Sequence, residues 1–336
     1  MAVKLRKFCC KYKILQMKTV IQDPIQWKLK KLIFTVLLIA LIPAGETQAL
    51  EGGYGNYVPG LYGSFLLAVT PPPGWYMLNQ AYFYFADSNK DFVRQGDIVT
   101  DIDLNEGYYI LTLAWASDFK ILGGSYGFGI SPSVGYTDIS GDFIGEREEF
   151  RFEDSNFGLS DLGITPVALF WNFDKIYLSL SETIVVPIGE YDVNRQANLG
   201  LNYWSFDTNF AVTYFDKQKG LDISLNLGHL YNTKNNATEY KSGQEIHLDY
   251  TINHFFSNNF ATGLQGFYHR QITGDSGDGA ILGDFKAVDA GVGPAVLWHS
   301  KVGGKSFVIT AKWLYEFHVE NRLKGNYIFF NLLYEF

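Results

Sequence analysis

Apolar and polar residues alternate one by one along most of the chain. The clearest stretch is 221–227, in which Leu, Ile, Leu and Leu are separated by Asp, Ser and Asn. Because successive side chains of a β-strand point to opposite faces, this pattern predicts a strand with one apolar and one polar face. Comparable alternation predicts strands in the following segments: 75–87, 97–118, 124–137, 157–173, 175–189, 198–206, 208–216, 244–256, 259–272, 285–299, 304–318 and 325–336.

These segments are long for strands of a soluble domain. They run to roughly 10–15 residues, whereas ordinary strands average about 5–6 and a tilted membrane strand needs about 9–11. Aromatic residues such as Trp298 and Phe317 end several apolar rows, as in the girdles of membrane barrels. An open sheet would leave unpaired edges in lipid, so the sheet is expected to close. Since such barrels have even strand numbers and residues 204–214 form either one strand or two, we predict twelve strands, with fourteen as the alternative.

The C-terminal segment alternates up to an aromatic last residue. One face carries Ile328, Phe330, Leu332, Tyr334 and Phe336. This arrangement is similar to the terminal signal that the insertion machinery of bacterial outer membranes reads; the alternative is a core strand of a soluble β-sandwich. Together with the long strands, it favours an all-β fold: a transmembrane antiparallel up-and-down β-barrel in the outer membrane.

The chain begins with a segment typical of an export signal. Three lysines within 28–31 precede an apolar stretch at 32–42, and small residues then lead up to Ala49. An apolar core of this length is too short for the ~20 residues of a membrane-spanning helix, so we predict a signal peptide with cleavage after Ala49. The true start is either Met1 or Met17.

Cleavage changes the charge and removes both cysteines. Of the 27 Lys+Arg and 35 Asp+Glu in the chain, nine and two lie in residues 1–49, which leaves 18 and 33 and a net charge of −15. Such an acidic protein is not expected to bind nucleic acid. Cys9 and Cys10 are both in the removed part, so the mature chain has no thiol for a disulfide, a nucleophile or a metal site.

Residues 50–74 do not follow the strand pattern. They are rich in Gly and contain three consecutive prolines at 71–73, which cannot donate hydrogen bonds to a sheet. This segment either folds into the barrel as a plug or forms a flexible periplasmic tail. The predicted organisation is therefore an N-terminal extension with signal peptide (1–49), a plug or tail (50–74) and the barrel (75–336).

Three parts of the chain carry a family resemblance. They read EGGYGNYVPGLYGSF and PPPGWY at the start, ANLGLNYWSFD and YKSGQEIHLDY in the centre, and FYHRQITGDSGDGAILGDFKA later on. Together they resemble the outer-membrane transporter family that is associated with the meta-pathway of phenol degradation, over residues 50–336. The resemblance implies a barrel that passes small hydrophobic or aromatic compounds and performs no degradative reaction itself. It supplies no functional residues to carry over, and the extended N-terminus departs from the family pattern.

Candidate lumen residues follow from the polar rows of two strands. Charged residues are much less costly inside a membrane barrel than on its lipid face, where Arg or Lys at the midplane costs roughly 2–4 kcal/mol. We therefore expect these side chains to line the lumen: Glu245, His247, Asp249, Lys312, Glu316 and His318. They either select solutes or only hydrogen-bond across a filled interior.

The segment 175–189 breaks the pattern, because Glu182 interrupts an otherwise aliphatic row. Either a bulge shifts the register, or the aliphatic row points inward, which would suit a path for hydrophobic solutes. Pro187 near the end of the segment is a candidate position for a bulge or a lateral opening.

No sequence motif indicates catalysis or a cofactor. The chain contains no H-E-x-x-H or P-loop pattern, and the G-x-S-x-G letters at 123–127 belong to a predicted strand rich in glycine and aromatic residues, where a nucleophile elbow needs a turn into a helix. The aspartates around Asp275 lack EF-hand spacing and predict a solvated turn. We therefore expect no enzyme, no metal and no cofactor, but a passive channel for small hydrophobic or aromatic solutes. The alternatives are an outer-membrane hydrolase that uses residues such as His269 and Asp275, and a structural barrel without transport. The expected partners are the solute, outer-membrane lipid and the insertion machinery, which would read Phe336.

Overall fold

The computed structural model describes residues 51–336 except 54, 89, 95, 96, 145–148, 284 and 285. The predicted signal peptide and both cysteines lie outside the described residues. A 3-10 helix at Glu51–Gly53 precedes fifteen strands: β1 (Gly74–Ser88), β2 (Phe92–Arg94), β3 (Asp97–Ile121), β4 (Gly124–Ser131), β5 (Ser133–Ile144), β6 (Glu149–Leu159), β7 (Leu162–Phe173), β8 (Ile176–Val186), β9 (Ser205–Asp216), β10 (Leu221–Asn232), β11 (Glu245–Phe255), β12 (Phe260–Gln271), β13 (Val288–Val302), β14 (Lys305–Glu320) and β15 (Lys324–Glu335). Within the described part of the chain, no helix is long and apolar enough to cross a membrane.

The strands form one antiparallel sheet that closes on itself. β1 pairs with β15 on one side and with β3 on the other, and consecutive strands pair from β7 through to β15. β4 and β5 are two halves of one barrel strand interrupted at Pro132, and β6 and β7 are two halves of another interrupted at Ser160 and Asp161. Counted in this way, twelve strands form the barrel, and β2 is a short addition paired with β3. The predicted barrel and its twelve strands are confirmed.

One predicted strand, 198–206, is wrong. The strand that we placed there begins only at Ser205, as β9. The two oxygens of the Asp161 carboxylate accept hydrogen bonds from the backbone N–H groups of Gly189 and Leu201, at 2.9 Å each. Because these N–H groups are bound to a side chain, this stretch is held as a loop and cannot join a strand ladder.

The two ends of the barrel differ in the length of their connections. Tight turns join the strands at one end, whereas the other end carries 187–204, 233–244 and the connection between β12 and β13. Membrane barrels have short periplasmic turns and longer extracellular loops, which orients the barrel. Outward-facing Trp298 and Trp313 are 51% and 48% exposed, as expected for side chains that meet lipid.

Residues 55–73, which we call the inner segment, lie inside the barrel. Asn56 donates a hydrogen bond to Ser205 at the extracellular start of β9, at 2.7 Å. The backbone N–H of Ala68 donates to the hydroxyl of Thr213 near the periplasmic end of the same strand, at 2.9 Å. The inner segment therefore runs down the interior from the extracellular end to the periplasmic end, where β1 begins.

Candidate functional site: a cavity beside the inner segment

The inner segment is held by inward-facing side chains of β9, β11 and β14. The ammonium group of Lys312 donates hydrogen bonds to the carbonyl oxygens of Gly60 and Gly63. The hydroxyl of Tyr57 donates to Asp249 at 3.3 Å. A second tyrosine of the segment, Tyr62, donates in the same way to Asp207 on β9, at 2.6 Å. Backbone and tyrosine groups of the segment thus take the place of water for charged wall residues.

The same half of the wall contains a chain of buried ionisable groups. The ring of His247 lies 3.0 Å from Asp207 and 3.5 Å from Asp249. The ring of His269 lies 2.7 Å from Asp289 and 2.7 Å from Glu245. Each imidazole is thus placed between two carboxylates, which satisfies groups that would be costly to bury alone.

The predicted lumen residues are only partly brought together. Five of them are buried in the interior: Glu245, His247, Asp249, Lys312 and Glu316. His318 does not join them, because its side chain is half exposed and lies 3.4 Å from Glu320. The cause is a bulge: Gly291 pairs with Glu316 but the next pair is Ala290 with His318, so the alternation of β14 shifts by one residue.

Of these five, His247, Asp249 and Lys312 contact the inner segment, and the open space lies on the other side of the segment. A cavity of about 530 Å³ extends between the inner segment and the wall formed mainly by β1, β3, β7, β8, β14 and β15. Aromatic and aliphatic side chains form much of its lining: Tyr57, Leu61, Tyr62, Phe65, Leu78, Tyr82, Tyr84, Tyr108, Ile110, Val185, Leu201 and Tyr327. Hydroxyl and amide groups are interspersed, as in sites that accept small apolar molecules and orient them by a few polar contacts.

The row that contains Glu182 faces outward. Thr183 and Val185 line the cavity, so the alternate positions of β8, including Glu182, point away from it. Both predicted alternatives are wrong: β8 pairs with β9 without a register shift, and its aliphatic row does not point inward. A bulge lies instead in the neighbouring strand β7, where Thr165 and Pro166 stand opposite one residue of β8. The carboxylate of Glu182 accepts a 2.5 Å hydrogen bond from Thr208, which reduces the cost of its outward position.

A loop replaces part of the sheet beside β6. β8 ends at Val186, directly before Pro187, and β9 pairs with β8 only up to Val185. The loop 187–204 takes the place of a strand next to β6, with the N–H of Glu190 donating to the carbonyl of Leu159 at 2.9 Å. The cavity reaches this loop through the following lining residues: Ser160, Asp161, Leu199 and Leu201.

The extracellular loops interlock around Asp275. Its carboxylate accepts hydrogen bonds from the hydroxyl of Tyr240 and, at 2.8 Å, from the backbone N–H of Gly243. Burial raises the pKa of Asp275 to about 7, although these hydrogen bonds oppose the shift. The prediction of a solvated turn is therefore wrong for this residue, since Asp275 is buried and joins two loops.

The geometry gives no support to the hydrolase alternative at the residues we named for it. Both ring nitrogens of His269 are engaged by carboxylates, so neither is placed to accept a proton from a serine hydroxyl. Asp275 accepts its hydrogen bonds from Tyr240, Gly243 and Gln271, and its carboxylate is not a partner of His269.

Sequence reasoning missed several residues that build the site. Tyr57 and Tyr62 belong to a segment without strand pattern, and nothing local indicates which wall residues they meet. Asp289 and Asp207 were detectable in principle, because each occupies a polar position in an alternating strand, as Glu245 does.

The sheet is closed, its outer surface is apolar, and a cavity lies in its lumen. These features define a transmembrane β-barrel of the outer-membrane type. The chain belongs to the family described as "Putative MetA-pathway of phenol degradation", whose model matches residues 88–332. The family that the sequence resembles is thereby confirmed. No curated protein matches the sequence.

The chain is similar to several solved structures. An outer-membrane channel from Pseudomonas putida F1 is similar with a TM-score of 0.57 and 14% identity, covering 84% of this chain and 100% of that one. A FadL homologue from Pseudomonas aeruginosa has a TM-score of 0.38 and 9% identity, covering 86% and 97%. The β-domain of the Bordetella autotransporter BrkA has a TM-score of 0.45 and 10% identity, covering 79% and 100%.

Proposed function

We propose that this barrel is a passive channel that carries small hydrophobic, in particular aromatic, solutes across the outer membrane. The observation that carries the proposal is the cavity of about 530 Å³ beside the inner segment, with its tyrosine-rich and aliphatic lining. Such a lining can contact the faces of uncharged rings, while its few polar groups orient them. The family description and the channel from Pseudomonas putida point to the same kind of function.

In this proposal the inner segment is the gate. Its contacts with Asp207, Asp249 and Lys312 fix it against one half of the wall, so solutes pass along the other half. The loop 187–204 is the proposed lateral opening, since it replaces a strand between β6 and β9 and borders the cavity. Transport requires no cofactor and no covalent step, and the chain is not an enzyme.

The C-terminal strand is the proposed contact with the insertion machinery. Phe330 and Phe336 are 52% and 51% exposed on the outer surface of β15 and its end. Their side chains are therefore accessible to a partner that reads the alternating aromatic row.

The proposal is tested by flux through the purified full chain in vesicles with lipopolysaccharide in the outer leaflet, since plain phospholipid already passes small aromatics. We expect naphthalene, but not glucose, to enter faster than in protein-free vesicles. A variant lacking residues 55–69 should pass both solutes, because the polar half of the wall would then face water. A barrel that passes neither solute, with or without the inner segment, would contradict the proposal and favour a structural role.

A further inference from the structure

Three charged side chains line the cavity: Glu106, Asp161 and Arg322. Two of them have partners on the protein at both ends of the charged group. Asp161 accepts one backbone N–H on each oxygen, from Gly189 and Leu201. Arg322 pairs with Asp289 at 3.4 Å and contacts the ring of His269 at 3.3 Å. Both therefore act as parts of the wall.

Glu106 is different. It is 8% exposed, and one oxygen of its carboxylate accepts a long hydrogen bond of 3.3 Å from Thr137. Among the described residues, no further hydrogen bond to this carboxylate is found. Arg94 supplies opposite charge nearby, and it donates two hydrogen bonds to the carbonyl oxygen of Gln196. A buried carboxylate can accept several hydrogen bonds, and capacity left unused in a buried site costs free energy that a bound donor would recover.

The surroundings of Glu106 define what kind of donor fits. Glu106 stands directly across from Tyr84 on β1, and Tyr108 follows two positions later on the same face of β3. Tyr84 stacks on Tyr327 with ring centroids 4.1 Å apart, and Tyr108 stacks on Tyr82 at 5.1 Å. The carboxylate is thus the polar point in a wall of aromatic rings. A flat ring that carries a hydroxyl group can contact this wall with its faces and edges while its O–H donates to Glu106.

We propose that Glu106 is the residue that makes the channel prefer hydroxylated aromatic solutes over equally apolar rings without a hydrogen-bond donor. This inference rests on the proposed function and adds a specificity to it. Glu106 acts by accepting the hydrogen bond of the solute hydroxyl, and no bond is made or broken covalently.

The test compares two probes, 4-fluorophenol and 4-fluoroanisole, which differ by one methyl group on oxygen. Binding to the purified full chain in detergent is followed by ¹⁹F NMR titration, with empty micelles as the reference for partitioning. Wild-type protein should bind the phenol roughly tenfold more tightly, the size expected for one hydrogen bond to a charged group. Glu106→Leu should remove this preference and leave the affinity for the anisole unchanged, whereas Glu106→Gln should retain part of it through its amide oxygen.

The matched control is Asp103→Leu, which makes a comparable exchange on the same strand at an exposed position. It should keep the full preference. Equal binding of both probes by the wild type, or a preference that survives Glu106→Leu, would overturn the role of Glu106 while leaving the channel in place. Binding of neither probe would overturn the proposed channel function as well. Heat-dependent mobility on gels reports whether each variant is a folded barrel.

Discussion

The ring of Tyr57 stacks on the imidazole of His247, with centroids 4.0 Å apart and planes inclined by 19°. The contact joins the inner segment to the extracellular part of β11, in the half of the barrel that holds the buried charges. Tyr62 stacks on the same imidazole at 5.4 Å. The N-terminal segment is thus packed against the wall through specific side chains, and each of these contacts can be removed separately.

Lys312→Met should loosen the inner segment. The ammonium group holds two carbonyl oxygens of the segment, and hydrogen bonds to charged groups contribute about 1.5–3 kcal/mol each. We expect the open fraction in single-channel recordings to rise roughly tenfold or more. Lys305→Met, at an exposed position on the same strand, is the control and should behave as wild type. Unchanged conductance in Lys312→Met would argue against this residue as an anchor.

Gly60→Ala should displace the segment by steric overlap. Gly60 has a φ of +83°, and an added Cβ would overlap Cδ1 of Leu314. Gly304 has nearly the same backbone angle, +84°, with open space around it. Gly304→Ala therefore carries only the backbone cost of about 1–2 kcal/mol. Limited proteolysis should cleave the inner segment faster in Gly60→Ala than in the Gly304 variant. Equal rates would show that the close packing seen here is dispensable.

Ile110→Trp should narrow the passage. Ile110 lines the cavity, whereas its neighbour Leu111 occupies the opposite face of β3. A larger ring at position 110 fills part of about 530 Å³, so we expect naphthalene flux to fall several-fold. Leu111→Trp adds the same ring toward the lipid and should leave flux unchanged. If both variants conduct alike, solutes do not use this cavity.

The extracellular loops should become less stable as the pH rises. The pKa of Asp275 is about 7 in the folded protein, against the ordinary value of 3.8 for an aspartate, so the folded loops favour the protonated carboxyl. The stabilisation of the folded loops by the protonated carboxyl is fully present below pH 4 and is lost as the pH rises through 7. A pKa shift of that size corresponds to at most about 4 kcal/mol of stability.

Amide exchange of residues 233–244, corrected for intrinsic rates, measures the effect at pH 5 and pH 8. Protection should be lower at pH 8 in the wild type and independent of pH in Asp275→Asn. Asp278→Asn changes an exposed carboxylate in the loop that contains Asp275. This variant should retain the difference in protection that the wild type shows between pH 5 and pH 8. A pH response that persists without the Asp275 carboxyl would assign it to another group.

The strands and their faces could be predicted because alternation is a local property. The polar row of β11 faces inward as its sequence indicates, with Glu245, His247 and Asp249 all buried. His318 could not be placed in this way, because a bulge depends on how two strands pair and leaves no mark in one strand alone. The partners of Lys312 lie about 250 positions away in sequence, so no local pattern could identify them.

The path of the inner segment decides which surface a solute meets. The wall has a charged half and an aromatic half, and the chain covers the charged half with its own backbone and tyrosines. Without that cover, we expect the charged half of the wall to face water and to admit polar solutes. The inner segment thereby sets the polarity of the surface along which a solute passes. We expect that changes in this segment alone would alter which solutes pass while the barrel stays the same.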